Sequence, residues 1–399
     1  MAKKVVIGMS GVVDSAVAAS ILKEQGYDVI ALYMSNWKET DENGACTGEE
    51  DWADVKRICT ILDIPYYSVD FSKEYWDVVF AHFIDEYKKG RTPNPDVLCN
   101  REIKFGPFKK YAMDLGADFV ATGHYCDIKH DGDNHYLMRC LDDNKDQTYF
   151  LNQVTNDQLS NVIFPLANII KDDVRKMAIE RNIPVAKKKD STGICFIGER
   201  DFRGFLAKYI PMKQGNIITE DGNVIGKHNG VYYYTIGQRR GLGIGGVKNG
   251  NDERWFVLQK DVEKNLLIVS QGEEEILYKN TLVTEGFNFI PNRLKEGEFR
   301  CLARIRHRQP LQNATAYVEG ENVRVVFDEK QRAIVEGQYC VLYQDRYCLG
   351  GGVISKVTNS WNIIIPIKSA LIFKNKKIFL FLMKNRDCLV CAYACALKQ

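Results

Sequence analysis

The chain has 399 residues, of which 45% are hydrophobic and 27% charged, values typical of a globular protein. This composition excludes a disordered chain, a collagen and a coiled coil, and the length predicts two or three domains. The net charge is only +2, so binding to nucleic acid must use local patches rather than a global field. No apolar run in the sequence approaches the ~20 residues that a membrane span needs, and we expect no membrane partner.

The first third of the sequence alternates strand-like and helix-like segments. Strands are predicted at 5–9, 27–34, 65–71 and 119–121, and helices at 14–25, 52–62 and 105–115. Gly26 follows the first helix at the position where glycine commonly ends one. This alternation predicts an α/β domain with a parallel sheet.

From about Gly215 the sequence changes to short β-rich segments between Gly, Asn and Asp turns, which predicts a small β-rich central domain and a C-terminal β-barrel. We expect domains at 1–205, 206–278 and 279–356, followed by a tail at 357–399. Strands are predicted at 231–236, 255–258, 266–269, 299–305, 314–318, 323–327 and 339–343.

Twelve cysteines are present, without the spacing of a secreted disulfide framework, and no signal peptide precedes the first strand. We therefore expect a cytoplasmic protein with mostly reduced thiols. The six histidines lack ligand spacing, so no zinc site is predicted.

The segment Ser10-Gly11-Val12-Val13-Asp14-Ser15 follows the first strand and opens the first helix. The free N–H groups and the dipole of a helix N-terminus favour phosphate at such a turn. No lysine follows the glycine where a Walker-type loop requires one. We expect Asp14 to cap the helix or to hold magnesium. Serine and aspartate are also ordinary helix caps, so these six residues alone do not establish a nucleotide site.

Cys99 and Cys195 lie near features that lower the pKa of a thiol. Cys99 follows the turn-forming residues 94–96 and precedes Lys104, and Cys195 follows three lysines at 187–189. Nearby cations and helix ends raise the thiolate fraction of a cysteine. Without further information, each cysteine is more often a small buried hydrophobic residue than a nucleophile. The residues alone leave both interpretations open.

The phosphate loop resembles that of PP-loop N-type ATP pyrophosphatases, which split ATP into AMP and pyrophosphate. From about Val5 to about Ile354, longer segments resemble bacterial tRNA-specific 2-thiouridylases of the MnmA family in order and spacing. These are MSNW at 34–37, GRTPNPDVLCN at 90–100, ATGHY at 121–125, KDQTYF at 145–150, KDSTGICFIG at 189–198 and GQR at 237–239. The resemblance implies ATP-dependent 2-thiolation of the wobble uridine of tRNA, with tRNAs of the Lys, Glu and Gln types as substrates.

The resemblance also implies the reacting groups. Cys195 would carry a persulfide sulfur from a sulfur-relay carrier protein or a cysteine desulfurase. Cys99 would help to release that sulfur and form a transient disulfide with Cys195, and Asp96 would act as acid or base. ATP, with Mg²⁺, would be bound by Gly8, Met9, Ser10, Gly11, Val12, Val13, Asp14, Ser15, Met34 and Gly123. The tRNA would be contacted by Asn94, Pro95, Asp96, His124, Lys145, Asp146, Gln147, Arg306, His307 and Gln338.

Cationic clusters that could bind RNA occur at 187–189, at 239–240 and at 304–308. Alternate residues of a strand share one face, so Arg304, Arg306 and Arg308 are expected to line up. Arginine makes bidentate phosphate contacts, although surface arginines are as often simply solvated.

Val12 departs from the family pattern, which has glycine there, and Ala16 replaces a small hydroxyl residue. Glycine permits positive φ, and valine at positive φ would be strained by about 1–3 kcal/mol, which predicts weakened ATP binding. One alternative function is therefore a tRNA-binding protein with impaired catalysis. Another is a different PP-loop adenylating ligase in which Cys99 and Cys195 are merely structural.

Two segments fall outside the resemblance. Residues 241–246 match G-x-G-x-x-G but precede no helix, and we interpret them as a loop. From Lys356 onward eight basic residues and one acidic residue give a net charge of +7, which leaves −5 for the rest of the chain. We hypothesise that this tail is a frameshifted or read-through extension.

Overall fold

The computed structural model describes residues 2–37, 47–190, 202–244, 253–272, 275–292 and 296–359. Cys195, part of the glycine-rich loop and the tail from residue 360 lie outside the described residues. The predictions made for them therefore stay predictions.

The first region contains a five-stranded parallel sheet in the order β3-β2-β1-β4-β7. Val5, Val6 and Ile7 of the central strand are completely buried, as expected for a parallel strand covered on both faces. The strands of this sheet are β1 (Lys4–Met9), β2 (Asp28–Ser35), β3 (Tyr66–Asp70), β4 (Phe119–Thr122) and β7 (Val162–Ile163). Between β4 and β7, the strands β5 (Cys126–Asp131) and β6 (Asn134–Arg139) form a separate hairpin. The predicted α/β domain and its four strands are confirmed.

The helices of this region connect the strands and cover the sheet. They are α1 (Val13–Glu24), α2 (Thr47–Leu62), α3 (Ser72–Glu74), α4 (Ala81–Lys88), α5 (Pro95–Cys99), α6 (Lys109–Asp114), α7 (Asn156–Leu159), α8 (Lys171–Glu180) and α9 (Phe202–Ala207). A π-helical segment at Asn100–Phe108 joins α5 to α6, with Pro107 inside it and a kink at Gly106. The predicted helix at 105–115 is thus the second half of a longer helical stretch. None of the helices within the described ranges is long and apolar enough to cross a membrane.

The second region is a four-stranded sheet in the order β10-β11-β8-β9. Its strands are β8 (Gly215–Ile218), β9 (Val224–His228), β10 (Trp255–Asp261) and β11 (Leu266–Gln271). The strand predicted at 231–236 is wrong, since Val231–Tyr233 form a 3₁₀ turn. The turn follows Gly230, whose φ of 142° would be strained for other residues and whose Cβ position is filled by the Tyr233 ring.

The third region is a six-stranded barrel, closed by pairing of its first strand with its last. Its strands are β12 (Tyr278–Phe289), β13 (Gly297–Arg304), β14 (Gln312–Glu319), β15 (Asn322–Arg332), β16 (Tyr339–Gln344) and β17 (Tyr347–Thr358). The predicted C-terminal barrel is confirmed. The β5–β6 hairpin adds to its sheet through the pair Met138 and Tyr347, which brings the first region against the barrel.

Candidate active site

The phosphate loop lies between the end of β1 and the start of α1. Gly11 has a φ of +74°, and a Cβ there would lie 2.7 Å from the Asp51 carbonyl oxygen, so only glycine fits. The Ser15 hydroxyl accepts from the Ser10 N–H at 3.2 Å and donates to the Val12 carbonyl at 3.1 Å. The first N–H groups of α1 have no partner within the helix and are available to an anion.

The expectation that the Val12 backbone is strained is wrong. Val12 has φ −116° and ψ 166°, an extended conformation that valine adopts readily. The positive φ falls one residue earlier, on Gly11, which this chain retains. The backbone of the loop therefore tolerates Val12.

Asp14 does not cap the helix, because Val12 occupies the N-cap and Asp14 is the second helical residue. Its carboxylate instead accepts from the Tyr125 hydroxyl at 2.8 Å and from the Lys171 ammonium at 2.5 Å. The expectation that Asp14 caps α1 is corrected, whereas its use by magnesium stays a prediction.

Lys171 joins the phosphate loop to a second carboxylate. Its side chain is only 8% exposed and also pairs with Asp190 at 2.8 Å. Asp190 accepts in addition from Lys145 at 2.9 Å and from Arg175 at 2.7 Å. Burial alone would raise the pKa of Asp190, but the hydrogen bonds from Lys171 and Lys145 outweigh it and lower the pKa to about 2. Lys145, an expected tRNA contact, is thus half-exposed and tied to the phosphate-loop network.

Lys188 belongs to the phosphate loop rather than to a free cationic surface. Its ammonium pairs with Asp51 at 2.8 Å and Asp54 at 2.7 Å, both on α2, and lies 3.4 Å from the Gly11 carbonyl oxygen. This arrangement holds the start of α2 against the loop. The interpretation of residues 187–189 as an RNA-binding cluster is corrected for Lys188, whose charge is neutralised within the protein.

Gly123 closes the other side of the loop. A Cβ at this position would lie 2.8 Å from the Ser15 nitrogen and 3.0 Å from the Asp14 carbonyl carbon, so β4 can meet α1 only through glycine. Met34, half-buried, lies near the end of β2. The carboxyl ends of parallel strands meet at one edge of a sheet, where α/β proteins bind nucleotides. The expected ATP-binding residues on β1, β2 and β4 are therefore brought to one edge.

Cys99 ends α5, a helix that the sequence Asn94-Pro95-Asp96 begins. The Asn94 side chain accepts from the Asp96 N–H at 3.2 Å, and Pro95 occupies the first helical position, where it is favoured. Asp96 is partly exposed, whereas Cys99 is completely buried. The Asn36 amide lies 3.9 Å from the Cys99 sulfur and donates to it. The structure thus places Cys99 beside the segment that follows β2, and its pairing with Cys195 lies outside the described residues.

The arginines at 304–308 do not line up, because β13 ends at Arg304 and a turn follows. Arg304 is buried and pairs at 3.2 Å with Asp146, whose carboxylate is also buried and accepts from the Thr148 hydroxyl. Arg306 is exposed, and its guanidinium donates to the Ala333 carbonyl. The Asp146 carboxylate is thus buried in an internal ion pair, and the expected contact of this residue with tRNA stays a prediction.

Asp146 and Gln147 also make hydrogen bonds to other expected site residues and their neighbours. The His307 Nε2 atom lies 3.1 Å from the Asp146 carbonyl oxygen, and the Gln147 side chain accepts from the Tyr125 N–H at 2.9 Å.

His124 pairs with the Thr122 hydroxyl at 2.8 Å, and burial keeps the pKa of its imidazole well below the usual value. His124 is therefore neutral at physiological pH and suits hydrogen bonding to a base rather than charge pairing with a phosphate.

Sequence reasoning missed Lys171, Tyr125 and Asn36 as members of the site, and it gave Asp190 no role. Lys171 and Tyr125 reach Asp14 from segments more than 100 positions away. Asn36, Tyr125 and Asp190 stand inside the motifs at 34–37, 121–125 and 189–198, which was the available signal. In the part of the chain that the structure describes, no group of three or more His, Cys, Asp or Glu side chains is arranged to hold a metal.

Three family models match consecutive parts of the chain. They are the tRNA methyl transferase HUP domain at 3–199, the tRNA methyl transferase PRC-barrel domain at 203–271 and the aminomethyltransferase beta-barrel domain at 279–354.

Curated relatives match over nearly their whole length. The tRNA-specific 2-thiouridylase MnmA of Alkaliphilus oremlandii is 54% identical over 356 residues, which is 89% of this chain and 97% of that protein. The protein of the same name from Bacillus cytotoxicus is 52% identical over 90% of this chain and 96% of its own length. Among solved structures, the U34-tRNA thiolase NcsA of Methanococcus maripaludis is 20% identical with a TM-score of 0.32, and covers 52% of this chain and 64% of that chain.

Proposed function

This chain belongs to the MnmA family of tRNA-specific 2-thiouridylases, and from that premise we propose how its residues carry out ATP-dependent thiolation of the wobble uridine of tRNA. The protein is a tRNA-uridine 2-sulfurtransferase. The assignment of residues is supported by the geometry at which the phosphate loop meets the start of α1. At that junction neither Gly11 nor Gly123 has room for a side chain. A backbone cradle of this kind suits the polyphosphate of ATP.

ATP makes the uracil oxygen a leaving group. The oxygen at C2 attacks the α-phosphate, pyrophosphate departs, and the adenylated base then carries AMP as its leaving group. The N–H groups at the start of α1 would hold the phosphates, and Met34 and the Gly123 backbone would frame the nucleoside. Asp14 is the carboxylate that would hold Mg²⁺, which neutralises phosphate charge when bound.

Sulfur transfer follows from two thiols. The terminal sulfur of a Cys195 persulfide attacks C2 of the adenylated base and expels AMP. The Cys99 thiolate then attacks the inner sulfur, which forms the Cys99–Cys195 disulfide and leaves the outer sulfur on the base. A thiol reductant restores both cysteines for the next turnover. Asp96, partly exposed in the first turn of α5, is the proposed acid or base at the target nucleotide.

The remaining partners follow from the same premise. Asn94 and Pro95 would meet the target base, and the half-exposed Lys145, the Gln147 amide, His124 and the Arg306–His307 turn would contact the anticodon arm. The wobble base must leave its stack to reach the pocket. The persulfide would come from a sulfur-relay carrier or a cysteine desulfurase, in the cytoplasm. The domain limits at 205 and 278 stay predictions.

The alternative of a tRNA-binding protein with impaired catalysis is not favoured, since its basis was backbone strain at Val12 and that residue is extended. The test is mass spectrometry of unmodified tRNA after incubation with ATP, magnesium and a persulfide donor, namely a cysteine desulfurase with cysteine. We expect 2-thiouridine at the wobble position with the wild-type protein, and none with Asp96→Asn although tRNA binding persists. Unmodified tRNA after incubation with the wild type would contradict the function.

A further inference from the structure

Two histidines face each other across the β5–β6 hairpin. The antiparallel register pairs His130 of β5 directly with His135 of β6, and their Nδ1 atoms lie 2.8 Å apart. Only the turn of the hairpin brings the two rings together, because five positions separate them along the chain. His130 is exposed and His135 is half-buried, so the pair is open to solvent. Neutral imidazole is the commonest metal ligand in proteins, and two imidazoles meet here.

The backbone of β7 orients the His130 ring. Its Nε2 atom lies 3.1 Å from the Val162 carbonyl oxygen, and a carbonyl only accepts, so Nε2 is the nitrogen that carries the proton. In a neutral ring the Nδ1 atom then has a free lone pair, and this is the atom that faces His135. Metal-binding histidines donate their second N–H to a carbonyl or a carboxylate in the same way, which fixes the ring and its tautomer. His130 is thus prepared to act as a ligand through Nδ1.

The turn between the two histidines is held from outside the hairpin. The His135 N–H donates to the Asn156 side-chain oxygen at 2.9 Å, and the Asn156 amide donates to the Asp133 carbonyl at 2.8 Å. Asn156 begins α7, which Thr155 and Gln158 cap through reciprocal hydrogen bonds. Because the backbone of the turn is already fixed, little conformational entropy is lost when both rings hold one ion.

Two carboxylates and one ammonium act on the His135 ring. Asp133 and Asp157 favour positive charge there, whereas Lys109 opposes it. The Lys109 ammonium donates to three oxygen atoms at the end of α7, which keep it in place. The carboxylates therefore attract a cation to the hairpin, and solvent can supply its remaining ligands.

The distance between the two nitrogens selects the geometry of the ion. Two nitrogens bound at about 2.0 Å and at right angles lie about 2.8 Å apart, whereas tetrahedral coordination separates them by about 3.3 Å. The observed 2.8 Å matches the right-angle arrangement. Square-planar and tetragonal sites with nitrogen and oxygen ligands are typical of Ni²⁺ and Cu²⁺. The spacing therefore favours these ions over Zn²⁺.

We propose that His130 and His135 form a binding site for one divalent transition-metal ion of tetragonal geometry, Ni²⁺ or Cu²⁺. Both Nδ1 atoms bind the ion, and water fills the other positions. The ion replaces the proton between the rings, and that proton moves through solvent to the His135 Nε2 atom, so both imidazoles stay neutral. The site uses none of the residues assigned to ATP, tRNA or sulfur transfer, and it goes beyond the proposed function.

The test is calorimetric titration of the full chain with Ni²⁺. The wild type is compared with His130→Gln, with His135→Gln and with the control His82→Gln, which replaces an exposed histidine of α4. We expect the Kd for Ni²⁺ to rise at least tenfold in each hairpin variant, because one of two chelating nitrogens is lost, and to stay unchanged in His82→Gln. Equal Kd values in all four proteins, or no saturable binding to the wild type, would overturn the inference.

A second measurement on the wild type needs no variant to fold. Diethyl pyrocarbonate modifies neutral imidazole nitrogens, and peptide mass spectrometry gives its rate at each histidine. We expect saturating Ni²⁺ to slow the modification of His130 and His135 about tenfold and to leave His82 unchanged. Equal rates with and without Ni²⁺ at the hairpin would refute the site. Neither measurement uses tRNA, so the result is independent of whether the protein forms 2-thiouridine.

Discussion

Lys171 donates to the Asp14 carboxylate over 2.5 Å, so a cation from α8 stands beside the first turn of the phosphate-loop helix. The same ammonium binds Asp190 at 2.8 Å and is almost completely buried. The loop itself has no Walker-type lysine. Lys171 supplies positive charge at this place from a position 157 residues away.

Replacing Lys171 by methionine keeps much of its volume and removes its charge. We expect ATP affinity to fall about tenfold, because Asp14 loses its neutralising partner next to the phosphates. Lys176→Met on the same helix is the control, since Lys176 pairs with Asp173 at the exposed surface. Equal ATP affinities of the two variants in a calorimetric titration would show that Lys171 does not serve the nucleotide site.

Glycine at position 12 should bring no gain in ATP affinity through relief of strain, since Val12 is already extended. We expect Val12→Gly to bind ATP as the wild type does and to lower the free energy of unfolding by about 0.5–1 kcal/mol, because glycine has more freedom in the unfolded chain. Denaturant titration and ATP titration measure the two quantities. A tenfold tighter ATP affinity would instead reveal crowding of the nucleotide by the valine side chain.

Asp190 should make the free energy of unfolding depend on pH in the acid range. Its pKa of about 2 lies below its value in the unfolded chain, so its ionised form stabilises the fold above pH ~4, and this contribution disappears as the pH falls toward 2. We expect Asp190→Asn to be less stable than wild type by about 2 kcal/mol at pH 7, with the difference shrinking below pH ~4. Urea unfolding at several pH values checks this, and a pH-independent difference would refute it.

Arg306 is one of two exposed arginines in the turn after β13. If it contacts an RNA phosphate, Arg306→Ala should weaken tRNA binding and reduce the slope of log K against log salt by about one. Arg300→Ala is the control, since Arg300 is exposed on β13, the strand that precedes the turn, and pairs with Asp328. An unchanged slope for Arg306→Ala would exclude a phosphate contact there.

The parallel sheet could be predicted because its signals are local. Buried runs such as Val5–Ile7 and the helix between Asp14 and Gln25 identify themselves within a few residues. The end of β13 could not be predicted, because the burial of Arg304 depends on Asp146, a partner 158 positions away. For the same reason the residues around Asp14 were missed.

The loop conformation also escaped prediction. A glycine-rich family pattern suggested positive φ at position 12, whereas the chain places it on Gly11, where the Asp51 carbonyl excludes a side chain. The motifs identified the loop between β1 and α1 and the helix that ends at Cys99, and the nucleotide and cysteine roles of these segments stay predictions. They could not show that Asp146 is buried or that Lys188 is neutralised by α2, since both facts arise from packing between distant segments.

Peptide mapping under non-reducing conditions after a single turnover tests the two-thiol reaction most directly. The protein carries a persulfide on Cys195, receives ATP, magnesium and unmodified tRNA, and is then acid-quenched and digested. We predict that a peptide pair joined through Cys99 and Cys195 accumulates in step with 2-thiouridine, and that neither forms when ATP is omitted. Formation of 2-thiouridine while both thiols remain unlinked, or by Cys99→Ser at the wild-type rate, would contradict a role of Cys99 in releasing the sulfur.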